Sequence, residues 1–160
     1  MAANPEILDA LTSGIQSEVA SYVFYLEAAK KIGSDKLKTL LRELADEERK
    51  HFTILERQYD SLVRSEKWIS TADAMKEEKL CDIGEDMTSR HRTLVEEVRN
   101  SSGEREILDI ALRLEYEARD LFARLAPKAG SPEGKKMFEY LSRFEQTHVD
   151  KIKRIIADLG

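Results

Sequence analysis

The sequence predicts an all-α protein: a four-helix bundle built from two repeated helical hairpins joined by a long crossover. Three observations lead there. The composition is 36% charged and 41% hydrophobic, with only seven glycines and three prolines in 160 residues, rich in helix formers and poor in helix breakers. Four stretches carry apolar residues at alternating steps of three and four, which keeps one helix face buried. Finally, the second half repeats the first at a shift of 97 positions: Glu48-Arg49-Lys50-His51 returns as Glu145-Gln146-Thr147-His148. The same shift lays Glu115 on Glu18, Phe122 on Tyr25, Ala126 on Ala29, Gly130 on Gly33, Leu141 on Leu44 and Ile152 on Leu55. Two copies of so long a unit suit a duplicated hairpin rather than a solenoid.

The first helix opens at Asn4-Pro5-Glu6, an N-cap followed by proline at the first helical position and an acid in the first turn. Its seam is Leu8, Leu11, Ile15, Glu18, Tyr22, Tyr25 and Ala29, and Gly33 is expected to stop it. Ser34 and Asp35 cap a second helix whose seam is Leu37, Leu41, Leu44, Glu48, His51, Leu55, Tyr59 and Leu62. So short a connection makes the two antiparallel neighbours. From about 66 to 103 the repeat breaks. A crossover is expected there, with a short helix after Ser70 and a further helix over 86–99 that turns Met87, His91, Leu94, Val95 and Val98 inward. The third helix has the seam Leu108, Leu112, Glu115, Arg119, Phe122 and Ala126 and ends at Pro127. Ser131-Pro132-Glu133 then repeats the opening pattern, and the fourth helix turns Phe138, Leu141, Glu145, His148 and Ile152 inward as far as Leu159.

These 160 residues suit one domain, with repeat halves at about 5–62 and 104–159. The net charge of −5 speaks against nucleic acid or an anionic membrane surface as partner. No run is apolar and long enough to span a bilayer, and Met1-Ala2-Ala3-Asn4-Pro5 lacks a signal-peptide profile. Cys81 is the only cysteine, so no internal disulfide and no iron–sulfur ligand set can form. A cytoplasmic setting is expected.

Glu48 and His51 stand where the seam asks for leucine, while Glu47, Arg49 and Lys50 fall on the wet face. A single Glu-x-x-His is ordinary in a solvated helix. Two copies, both on the seam and both in register with the repeat, point to chemistry. Glu18 precedes Glu48 by 30 residues and Glu115 precedes Glu145 by 30, so six candidate metal ligands form two matched sets: Glu18, Glu48, His51 and Glu115, Glu145, His148. Residues three apart lie on one helix face about 4.5 Å apart along the axis, within reach of one ion. Four carboxylates cannot all stay ionised in an apolar interior without compensation. Two divalent cations balance them, with two neutral imidazoles completing the set. A four-coordinate zinc would leave two acids unpartnered, whereas mixed carboxylate and imidazole ligation suits iron or manganese. His91 has no Glu three residues before it and is assigned to packing or to the surface. Arg119, which takes the place of Tyr22 in the repeat, is either an edge residue or a cation steadying Glu115.

With these motifs the chain resembles the rubrerythrin branch of the ferritin-like superfamily, in which two helices each give a Glu and two each give a Glu-x-x-His. The resemblance covers both hairpins and includes Glu18-x-x-Ser21-x-x-Phe24-Tyr25 and Glu115-x-x-Ala118-x-x-Leu121-Phe122. It implies a ferritin-like bundle holding two iron ions, with manganese the alternative. Glu48 and Glu145 would bridge the ions and shift coordination during catalysis. Glu18 and Glu115 would be terminal ligands, with His51 and His148 on one ion each. The implied activity is reduction of hydrogen peroxide or dioxygen in oxidative-stress defence. An outside electron-donor protein such as a rubredoxin would supply electrons, and a homodimer is the expected assembly. Ferroxidase or iron-storage activity, manganese catalase chemistry and a purely structural bundle are the competing readings. Tyr22, Tyr25 and Tyr116 are candidate hydrogen-bond donors to the site. Two departures stand out. The chain has no cysteines for a rubredoxin iron site, and Ala118 occupies the place of an additional family Glu.

Overall fold

A computed structural model describes residues 4–76 and 80–159. Four long helices carry the fold: α1 (Pro5–Lys31), α2 (Asp35–Ser65), α6 (Glu104–Leu125) and α7 (Pro132–Asp158). Between the pairs lie the short helices α3 (Thr71–Ala74), α4 (Glu85–Thr88) and α5 (Arg92–Arg99). No strand occurs among the described residues. α1 packs on α2 and α6 on α7, and α1 also lies against α6 and α5. The architecture is the ferritin-like four-helix bundle of two hairpins and a crossover.

Local chemistry sets the helix starts. Asn4 accepts a hydrogen bond from the Glu6 backbone N–H, Ser34 from Leu37 and Ser131 from Gly134, while Pro5 and Pro132 occupy first-turn positions. The stops differ between halves. α1 ends at Lys31 with Ile32 extended, before Gly33 is reached. Gly33 is therefore not the left-handed stop that the repeat suggests. Its counterpart Gly130 does take that role, with φ of 72°. Pro127 ends α6 as expected, tightening the chain into a single 3₁₀ turn over Ala126–Lys128.

Two apolar clusters fill the bundle, one toward each end. One gathers Leu11, Ile15, Leu55, Phe122, Phe138 and Leu141. The other gathers Phe24, Leu41, Leu44, Leu108, Ala111 and Ile152. Burying a side chain of this size stabilises the fold by about 1.5–3 kcal/mol. Leu8, Tyr22, Tyr59, Leu112 and Ile155 pack at the margins and are only partly buried.

The crossover is tied to the bundle by side chains. Gln58 on α2 exchanges two hydrogen bonds with the backbone of Ile69, at 2.6 and 3.0 Å. Arg49 donates from Nε to the Cys81 carbonyl at 3.0 Å and pairs with Asp82 at 2.9 Å. Trp68 lies on Gly134, where a Cβ would stand 2.7 Å from the indole. The expected helix after Ser70 forms, with Ser70 as its N-cap. The helix expected over 86–99 is broken by a 3₁₀ turn at Ser89–His91. Thr88 Oγ1 bonds the Glu85 carbonyl and Ser89 Oγ the Asp86 carbonyl. Such back-bonding from hydroxyl side chains competes with the helical ladder and disturbs it.

Candidate metal centre

Between the two apolar clusters lies a polar layer made of the six seam residues. Glu18 comes from α1, Glu48 and His51 from α2, Glu115 from α6, and Glu145 and His148 from α7. All six are at most 2% exposed, which is exceptional for charged side chains and demands compensation. They fall into two overlapping groups: Glu18, Glu48, His51 and Glu145, then Glu48, Glu115, Glu145 and His148. In each, the donor atoms lie within 4.8 Å of one another. Glu48 and Glu145 belong to both groups. α2 and α7 thus meet across the layer through these pairs.

Both imidazoles turn Nδ1 toward the centre. His51 Nδ1 lies 2.8 Å from Glu145 Oε1, 3.5 Å from Glu18 and 3.6 Å from Glu48. His148 Nδ1 lies 2.9 Å from Glu48 Oε1, 3.3 Å from Glu115 and 3.4 Å from Glu145. The far nitrogen of His148, Nε2, lies 2.5 Å from Glu47 Oε2. Glu47 falls on the wet face by periodicity, and its side chain is 29% exposed at one edge. Its carboxylate nevertheless turns inward onto the imidazole. The ring of Phe144 stands edge-on to both histidines, 4.6 Å from His51 and 5.3 Å from His148 between centroids.

Electrostatics divide the acids into two kinds. Burial, with the charges of Glu48 and Glu145, pushes the Glu18 carboxyl well up. Burial and the charge of Glu145 push Glu115 up to about 8. For Glu48 and Glu145, burial also raises the pKa, but contacts with both histidines and a neighbouring carboxyl hold each below its ordinary value. Burial would depress His51, yet Glu145 and Glu48 raise it to about 10. Burial likewise opposes protonation of His148, and Glu115, Glu145, Glu47 and Glu48 overcome it. In the metal-free protein, protons thus supply the positive charge that four buried carboxylates require.

The residues fit a pair of cations. Both oxygens of Glu18 and one each of Glu48, Glu115 and Glu145 are buried without a hydrogen bond. Buried polar atoms are rarely left so, and an ion is one of the few partners that explains five at one level. The set offers oxygen and imidazole nitrogen without sulfur, which suits iron or manganese.

The remaining candidates separate clearly. Tyr25 Oη donates to Glu115 Oε1 at 2.5 Å from a wholly buried position. Tyr22 lines an outer cleft with Leu26, Arg92 and Val95. Tyr116 lies under the Arg119 guanidinium, 4.7 Å from its ring centroid. Arg119 itself pairs with Asp120 and donates to Gln146 at 2.8 Å, joining α6 to α7 rather than steadying Glu115. Ala118 is buried and apolar, so that position adds no oxygen. His91 is half-buried on the crossover and belongs to neither ligand group.

The family model described as Rubrerythrin matches residues 9–100 and 106–160. No curated protein and no solved structure matches the chain significantly. Since the family match takes in both hairpins and most of the crossover, the chain belongs to the rubrerythrin family.

Proposed function

We propose that this protein is a dinuclear iron oxidoreductase that reduces hydrogen peroxide. The observation that carries the reading is the pair of overlapping donor groups sharing Glu48 and Glu145. Glu18, Glu48, His51 and Glu145 would hold one ion, and Glu48, Glu115, Glu145 and His148 the other. When bound, a ferrous pair supplies two electrons as it becomes diferric, matching the two that, with two protons, convert one peroxide into two waters. Glu48 and Glu145, the two carboxylates common to both donor groups, would serve both ions. Tyr25 directs its hydroxyl proton at Glu115 and fixes the orientation of that carboxylate. The apolar clusters on either side keep bulk water from the layer, which strengthens every charge interaction inside it.

Repeated turnover needs electrons from outside. The chain has one cysteine and no visible flavin or nicotinamide fingerprint, so the reductant is a separate electron-donor protein such as a rubredoxin. The same reading takes the chain as one ferritin-like domain working as a homodimer in the cytoplasm. Stopped-flow oxidation of the anaerobically reduced protein tests the oxidant. Peroxide is expected to react faster than dioxygen at equal concentration, giving near-ultraviolet absorption from a diferric product. Faster reaction with dioxygen replaces the peroxidase reading with an oxidase or ferroxidase.

A further inference from the structure

The ligand set is nearly symmetric under the repeat, and one residue beside it is not. Each half contributes one Glu and one Glu-x-x-His pair, whose imidazole turns Nδ1 inward. The shift that superposes the halves lays Glu47 on Phe144. Glu47 reaches across from α2 and accepts from His148 Nε2 at 2.5 Å. Among the described residues no hydrogen bond reaches the corresponding nitrogen of His51, and the Phe144 ring stands edge-on to both imidazoles, nearer that of His51.

That difference has a chemical consequence. An imidazole that binds a cation through Nδ1 must carry its proton on Nε2. A carboxylate at Nε2 selects that tautomer, fixes the ring plane and makes the ligating nitrogen more basic. Phe144 contributes packing alone and selects no tautomer. The hydrogen bond of Glu47 goes to His148, His51 feels its charge only as a lesser effect, and its carboxylate belongs to neither donor group.

Resting on the dinuclear reading above, we propose that Glu47 is a positioning residue that makes the two metal positions unequal. The position formed by Glu48, Glu115, Glu145 and His148 is preorganised and binds the first ion. The position formed by Glu18, Glu48, Glu145 and His51 is the weaker one and fills second. Loading is therefore ordered although the six ligands match in type.

Anaerobic calorimetric titration of the metal-free full chain with Fe(II) tests this, using Glu47→Ala, Glu47→Gln, His51→Ala and His148→Ala. The wild type is expected to show two unequal events, with the tighter lost in His148→Ala and kept in His51→Ala. Glu47→Ala should weaken the tighter event roughly 10–100-fold, the usual effect of removing a carboxylate behind a metal-bound histidine. Its weaker event should stay within about twofold. Glu47→Gln, which keeps an acceptor oxygen at the same reach, should fall between wild type and Glu47→Ala. A variant that merely folds poorly would weaken both events together, and that result overturns the inference. Two equal events in the wild type also overturn it while leaving the dinuclear reading intact. No Fe(II) uptake by the wild type removes both.

Discussion

Tyr25 shows how one side chain can matter twice at this centre. It is a core residue by volume and burial, and it is also the donor to Glu115 Oε1 at 2.5 Å. Replacing Tyr25 with Phe keeps the packing and removes only the hydroxyl. Leaving a buried acceptor without its donor costs about 1–3 kcal/mol, so urea unfolding of Tyr25→Phe should show a loss of that order. An unchanged midpoint would mean that Glu115 does not depend on this donor. The titrating residues lead to a second expectation, for the metal-free protein. Glu115 and His51 hold their protons more tightly folded than unfolded, at about 8 and about 10. Their contribution to stability is complete below their ordinary values of 4.5 and 6.5, and is lost as pH rises through the folded values. Metal-free protein should therefore become less stable from about pH 6.5 to 10. Glu48 and Glu145, lowered on folding, oppose this only on the acid side, where their contribution is lost as pH falls. Urea titrations at several pH values check the slope, and stability rising across that window would contradict the charge balance described for the layer.

At the scale of elements, the long helices were legible because each states its face over many turns, and α1, α2 and α7 open on a capping side chain. The burial of the six candidate ligands was legible for the same reason: Glu and His take seam positions twice in register. What was not legible depends on reach and on local competition. Glu47 sits one residue before Glu48, about 100° around the helix, so periodicity places it outside the seam. Only its flexible side chain brings the carboxylate back to His148. The mismatch with Phe144 in the repeat was the one signal that could have found it. Likewise the apolar pattern over 86–99 is helical throughout, and the break comes from hydroxyl bonds of Thr88 and Ser89 that no hydrophobic period encodes. Arg119 was ambiguous because a long side chain on the seam's edge can turn either way, and here it turns to Gln146. The contact of Trp68 with Gly134 leads to a prediction for the crossover. A methyl group at 134 would stand 2.7 Å from the indole and must displace it. Gly134→Ala should cost about 1–3 kcal/mol, as for other overpacked sites. Since Trp68 is the only tryptophan, its fluorescence should also shift toward that of exposed indole. Unaltered emission and stability would show that the crossover does not rest on α7 there.

For the whole molecule, the two apolar ends and the charged layer between them form one energetic arrangement. The ends stabilise the bundle enough to hold six polar side chains out of water, and those side chains in turn create the demand for cations. The duplicated hairpins present the same donor types to each ion position, with Glu48 and Glu145 common to both donor groups. The most direct test is the iron content per chain after anaerobic reconstitution, for the wild type and for the Glu48→Ala, Glu145→Ala double variant. The account predicts two ions per chain in the wild type and loss of both in the double variant, because each ion depends on both shared carboxylates. Full two-ion loading of the double variant, or no bound iron in the wild type, would contradict it.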